Sequence, residues 1–234
     1  YLPNFKKLFN KFGYSRTTSE SQYKNIEPWI QWVTAHTGQD YESHKLFHLN
    51  ESEKLKYSQI WEELEEKNFS VAGLFPMNAK NNLKNSSNIF IPDPWSEQKI
   101  TGSKSFKKIH SILSFFVNNN SSKKINIINF ISLFLVFIKN FRFINIILYI
   151  KYFIFSLKRK WFRVLFLELF IFDIFIRINQ KQKFDFISLF LNGGAHIQHH
   201  YLHNSKVLNL SQSNPNWYLK KEFDPILDIY ELYD

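Results

Sequence analysis

The 234-residue chain contains no cysteine, which excludes disulfides, thiolate metal sites and cysteine nucleophiles together. Glycine is scarce, at 6 residues beside 26 phenylalanines; usage this skewed is a reason not to read Phe or Lys enrichment as function by itself. Acidic residues are nearly missing from 101–183, where only Glu168 and Asp173 stand against 15 lysines and arginines, so that stretch carries +13 and the rest of the chain −3. The imbalance predicts an anionic partner for the middle of the chain: a membrane surface, a phosphorylated or sulfated small-molecule substrate, or nucleic acid. Nucleic acid rests on charge alone, without a recognisable module, and is the least favoured of the three. P-loop and dinucleotide fingerprints are absent.

Long uninterrupted apolar runs are lacking too. Spanning a bilayer needs about 20 predominantly apolar residues. Residues 130–138 begin such a run, but Lys139, Arg142, Lys151 and the Lys158-Arg159-Lys160 cluster interrupt every window of that size. Residues 103–180 are therefore expected to form a helical insertion or cap, buried on one side and basic on the other, with a peripheral membrane helix pair as the alternative. The first residues carry no apolar core behind their charges, so no secretory signal is expected and a cytoplasmic place is the expectation. A start other than Met and an end inside a helical pattern suggest a chain cut from something longer.

What is present begins with 184–203, where an apolar strand-like run stops at Gly193-Gly194 and delivers His196, His199, His200 and His203. Strand ends are where α/β enzymes keep their chemistry, and imidazoles serve as neutral metal ligands or acid/base groups. The plain alternative is a surface helix with four histidines on a solvated face. Upstream, the spacing predicts a helix over 3–12 with Phe5, Leu8, Phe9 and Phe12 inward and Gly13 past its end. A second helix is predicted from Pro28 to Gly38. Asn50 with Glu53 suggests a capped start for a third, striped by Ile60, Trp61 and Leu64. Strands are predicted at 69–75 and 88–92, and a central, mostly buried strand at 184–191. Helix alternating with strand indicates an α/β fold, a mostly parallel central sheet flanked by helices. Residues 1–102 would form its first part, 103–180 the basic helical insertion, and 181–234 a core strand, the His-rich loop and a C-terminal helix.

Three segments carry a resemblance: Leu2-Pro-Asn-Phe-Lys-Lys-Leu-Phe-Asn-Lys-Phe-Gly13, Thr37-Gly38 followed by Glu42-Ser43-His44, and Asn192-Gly-Gly-Ala-His196. In order and spacing the chain resembles the alkaline phosphatase superfamily, in its type I phosphodiesterase and nucleotide pyrophosphatase branch. The resemblance implies an alkaline phosphatase-like core and a metal-dependent ester hydrolase in which a metal-activated hydroxyl attacks phosphorus. It implies a divalent metal, zinc, at Asn192 and His196. The departures are specific. Pro28 occupies the nucleophile position, Asn192 replaces an Asp, and the remaining metal ligands would fall before Tyr1 or after Asp234. His200, one helical turn after His196, could complete a two-histidine site. Thr34 and Ser21 are candidate hydroxyls, and Glu27 a candidate base or ligand beside Pro28; each has a structural alternative as a cap or core group. Asp93, before Pro94 and Trp95, places a carboxylate in a strand-end loop, where the simpler account is a turn. The rival from another class is a non-enzymatic, membrane-peripheral or anionic-surface-binding protein using 103–180.

Overall fold

A computed structural model describes residues 2–49, 51–118, 127–208 and 212–234. In chain order the elements are α1 (Pro3–Phe12), α2 (Pro28–Thr37), α3 (Tyr41–His44), α4 (Ile60–Glu66), β1 (Val71–Leu74), β2 (Ile89–Ile91), α5 (Lys104–Asn118), α6 (Ile127–Asn140), α7 (Ile146–Ser156), α8 (Phe162–Lys181), β3 (Phe186–Leu189), α9 (Gly193–Tyr201) and α10 (Pro225–Tyr233), with short 3₁₀ turns between them. The fold is α/β with a small, open, all-parallel sheet. The chain divides into two compact units, 17–140 with 175–190, and 1–16 with 141–174 and 191–234.

The first unit holds the sheet, in the order β2-β1-β3. Ala72 pairs with Ile89 on one side and Ile187 on the other, in parallel register. All of β1 and β2 is buried, as a parallel strand covered on both faces requires. Trp61 of α4 packs with Val71, Ala79, Leu83 and Phe90, while Val33, Leu46 and Leu55 form a second cluster. The strand expected at the centre lies elsewhere: β3 is an edge strand among the described residues, and its four side chains are half-buried. β1 takes the centre because both its edges are paired. The far edge of β2 is closed by Thr101, whose backbone exchanges two hydrogen bonds with Phe90 at 3.0 and 3.1 Å.

Two local expectations are corrected. The capping box belongs to Gln59 and Glu62 at the start of α4, not to Asn50 and Glu53; Asn50 itself lies outside the described residues. Gln59 is fully buried, so its pairing with Glu62 satisfies groups that water cannot reach. α1 has the predicted bounds but not the predicted inward face, since Leu8, Phe9 and Phe12 are all exposed. The polar loop expected from the sequence at 118–124 lies, after Asn118, outside the described residues.

The second unit is helical. α9 packs along α10, whose N-terminus is capped by Asp224 accepting from Leu227 N–H at 3.0 Å. Trp161, at the start of α8, is buried and donates its indole N–H to Asp228 at 2.7 Å. The terminal Asp234 accepts from the free N–H groups of Asn4 and Phe5 in the first turn of α1, at 2.9 and 2.8 Å, a carboxylate where the helix dipole favours one.

Candidate functional site

Glu27 and Thr34 sit on α2 of the sheet unit. Glu27 is the N-cap residue; its carbonyl accepts from Ile30 and Gln31, and its exposed carboxylate makes no cap. Thr34 has a neighbour that spacing alone did not show. Its Oγ1 lies 3.3 Å from His44 Nε2, the distance of a hydroxyl and a general base. The tautomer decides against that role. His44 Nδ1 accepts from Leu46 N–H at 3.1 Å, so the neutral ring carries its proton on Nε2 and donates it to Thr34. Burial, opposed only partly by Glu20 and Asp40, lowers the His44 pKa and favours this neutral form. The pair fastens α3 to α2 and leaves Thr34 without a base. Ser21 is exposed in a bend.

His36 gave no sequence signal beyond being a histidine on a helix. It lies between Trp32 and Trp61, with ring centroids 5.7 and 4.8 Å away. Burial pushes its pKa down to about 4 against a hydrogen bond from the ring to the Met77 backbone carbonyl, and Nε2 is buried without a partner. It is a neutral core histidine.

Asn192, His196 and His200 belong to the helical unit. Gly193 and Gly194 do not form a turn; they are the first residues of α9. The smallness of Gly193 is required by Glu168 of α8, which lies against it: a Cβ there would sit 2.5 Å from the Glu168 Cγ, while one on Gly194 would meet the Tyr233 ring at 3.2 Å. The Glu168 carboxylate accepts from Gly193 N–H at 3.0 Å and from the Tyr233 hydroxyl at 2.8 Å, while Tyr233 accepts from Gly194 N–H at 2.8 Å. The anion-binding end of α9 is thus filled by the protein's own carboxylate. Burial outweighs these donors and raises the Glu168 pKa to about 7.

His196 and His200 project from the exposed side of α9, ring centroids 5.0 Å apart. Burial and the neighbouring His200 and His199 lower the His196 pKa, which suits a neutral ligand. Two imidazoles supply half of a tetrahedral zinc site. Among the described residues no group of three His, Asp or Glu gathers there or elsewhere, and Asn192 starts the helix, its carbonyl accepting from His196 N–H at 3.0 Å. These residues do not fit a resident zinc site.

The arrangement that residue types least foretold is α7. Its inward side is polar. Asp173 of α8, fully buried, accepts from Arg142 N–H at 2.7 Å, Asn145 Nδ2 at 2.6 Å and the Tyr149 hydroxyl at 2.8 Å. Burial and Asp173 together hold the Tyr149 hydroxyl well above the usual phenol range, so it remains a donor. The outward side is apolar: Phe143, Ile147, Ile150, Ile154 and Leu157 follow one helical face, with Ile147 at 76% and Leu157 at 70% exposure. The same stretch of sequence carries Lys151, Lys158, Arg159, Lys160 and Arg163, and no acidic residue occurs between Phe141 and Leu167. Lys151, Lys158, Lys160 and Arg163 make no ion pair with a described residue. Arg159 is held over the Phe223 ring at 4.3 Å and the Phe155 ring at 5.3 Å. From Phe223 the aromatic contacts run through Trp161 and Tyr201 to Tyr218, beside the exposed Trp217.

No protein-family model, no curated protein and no solved structure matches the chain.

Proposed function

We propose that the chain is a non-enzymatic, peripheral binder of anionic membrane surfaces, docking through α7 and the basic turn that follows it. The observation that carries the reading is the orientation of α7: Tyr149 and the preceding Asn145 are spent on a buried carboxylate, while Ile147, Ile150, Phe153 and Ile154 face outward. Isolated exposed apolar residues are ordinary, but a contiguous face of this kind marks an interaction surface. Charge selects the occupant. Five cations, in a stretch of sequence that no acidic residue interrupts, complement an anionic lipid surface, at about 1 kcal/mol per Lys or Arg near it. With 11 residues the helix is about 16 Å long, roughly half the hydrocarbon thickness, and no described helix is long and apolar enough to cross a membrane. α7 would therefore lie in the interface plane, as amphipathic anchors do. Exposed Trp217 with Tyr218, Lys220 and Lys221 adds an aromatic and basic loop of the sort enriched at membrane interfaces.

Co-sedimentation with vesicles tests this. The chain should bind phosphatidylserine-containing vesicles and not pure phosphatidylcholine, with affinity falling as salt rises. Ile147→Gln with Ile154→Gln should weaken binding at least about tenfold, since burying each isoleucine is worth on the order of 1.5 kcal/mol or more. Lys158→Gln with Lys160→Gln should remove the lipid-charge preference. Equal binding by the isoleucine variant, or a stable oligomer that these substitutions dissolve without any vesicle binding, would overturn the reading.

A further inference from the structure

α1 has no buried residue, and its first turn is fastened by the carboxylate of Asp234, which accepts from Asn4 N–H and Phe5 N–H. A helix of 10 residues is marginal in water without packing. At about 100° per residue, Phe5, Leu8, Phe9 and Phe12 share one face. Leu8, Phe9 and Phe12 are exposed, Phe12 to 71%, and the exposed Tyr14 sets its ring edge-on to Phe9 at a centroid distance of 6.2 Å. Singly exposed apolar residues are ordinary, whereas large ones in consecutive turns of one helix make a contiguous patch, the mark of an interaction surface.

The cations of α1 indicate what covers this patch. The same helical geometry puts Lys6 beside Phe9 on one border of the face, Lys11 beside Leu8 on the other border, and Lys7 on the opposite side. Lys11 Nζ lies 4.9 Å from the centre of the Phe12 ring, within reach of cation–π attraction. All three lysines are exposed, none forms an ion pair with a described residue, and no acidic residue occurs between Pro3 and Ser19. A second copy laid on this face would set lysine borders against lysine borders. An anionic lipid surface takes both features, the rings below the headgroups and the lysine stems reaching up to the phosphates. We propose that α1 is a second membrane anchor, lying flat on anionic lipid with Phe5, Leu8, Phe9 and Phe12 immersed. The proposal rests on the membrane reading for its partner and on none of the residues of α7.

Nitroxide labels on single cysteines test it, in a chain with no cysteine of its own. Leu8→Cys and Lys7→Cys lie side by side in sequence but on opposite faces, and both positions are exposed. With phosphatidylserine vesicles in excess, the label at 8 should gain accessibility to oxygen and lose accessibility to a water-soluble nickel chelate, while the label at 7 stays open to the chelate. In the chain carrying Ile147→Gln and Ile154→Gln, residual vesicle binding should weaken at least about a further tenfold on adding Phe9→Gln with Phe12→Gln, which removes two phenyl rings from the lipid. Adding Lys6→Gln with Lys11→Gln instead should weaken it severalfold. All four of these α1 side chains are exposed, so the fold does not depend on them. A label at 8 that stays open to the chelate while one at 147 enters the lipid would overturn this proposal and leave the reading of α7 standing. Equal protection of the labels at 7 and 8, or a dimer that Phe9→Gln with Phe12→Gln dissolves without any change in vesicle binding, would also overturn it.

Discussion

Glu168 shows how a motif can be conspicuous in sequence for a reason other than its chemistry. Asn192-Gly-Gly-Ala-His196 suggests a metal loop, and Gly193 instead makes room for a buried carboxylate that no sequence spacing places beside it. Its raised pKa, about 7 against an ordinary glutamate value of 4.5, has a definite sign. The folded chain holds this proton more tightly than the unfolded chain, so the contribution to stability is full below about pH 4.5 and is lost as pH rises through about 7. At 1.36 kcal/mol per pKa unit the loss is roughly 3 kcal/mol at most. Glu168→Gln should therefore flatten the stability profile of the helical unit over that interval, measured as urea midpoints from pH 4.5 to 8. It should cost about 1 kcal/mol at low pH, because Tyr233 already accepts from Gly194 and loses an acceptor for its own proton. A profile of unchanged slope in the variant would contradict the assignment. Thr34 and His44 teach the complementary lesson: their approach was invisible in the sequence, and once visible it is Leu46 N–H, a backbone group, that settles which nitrogen is free.

Elements were legible where local signals act alone. Pro28 and Gly38 bound α2 as expected, and α1, β1 and β2 fall within the predicted segments. What sequence could not supply was the partner of each face. The same periodicity that marks α1 as amphipathic does not say whether its apolar side is covered, and here it is exposed. β3 has the composition of a doubly covered strand yet, among the described residues, pairs on one side only. Spacing does not say which side of α7 packs inward until Asp173 of α8 is seen to accept from Asn145 and Tyr149. That hub fixes which way the helix faces. Asp173→Ala leaves three donors unpaired at about 1 kcal/mol or more each. Hydrogen exchange in residues 142–156 should accelerate in this variant while β1 stays protected; uniform acceleration throughout, or none, would show that the hub does not orient α7.

At the scale of the whole molecule, charge was the feature read most directly from sequence. The positive stretch of 101–183 is helical wherever it is described, apart from short connections, and its only two acids are buried. Its surface is therefore basic and, over α7, apolar as well. The hydrolase that the sequence resembles needs a base and a metal constellation that Thr34, Glu27, Asn192, His196 and His200 do not assemble among the described residues. The absence of cysteine makes the central claim directly measurable, since a single Ile147→Cys can carry a nitroxide label without background. On adding phosphatidylserine vesicles to the full chain, the label at 147 should gain accessibility to oxygen and lose accessibility to a water-soluble nickel chelate, while a label at the exposed Lys67 stays in water. A label at 147 that remains as exposed to the chelate as the one at 67, with vesicles in excess, would contradict the account.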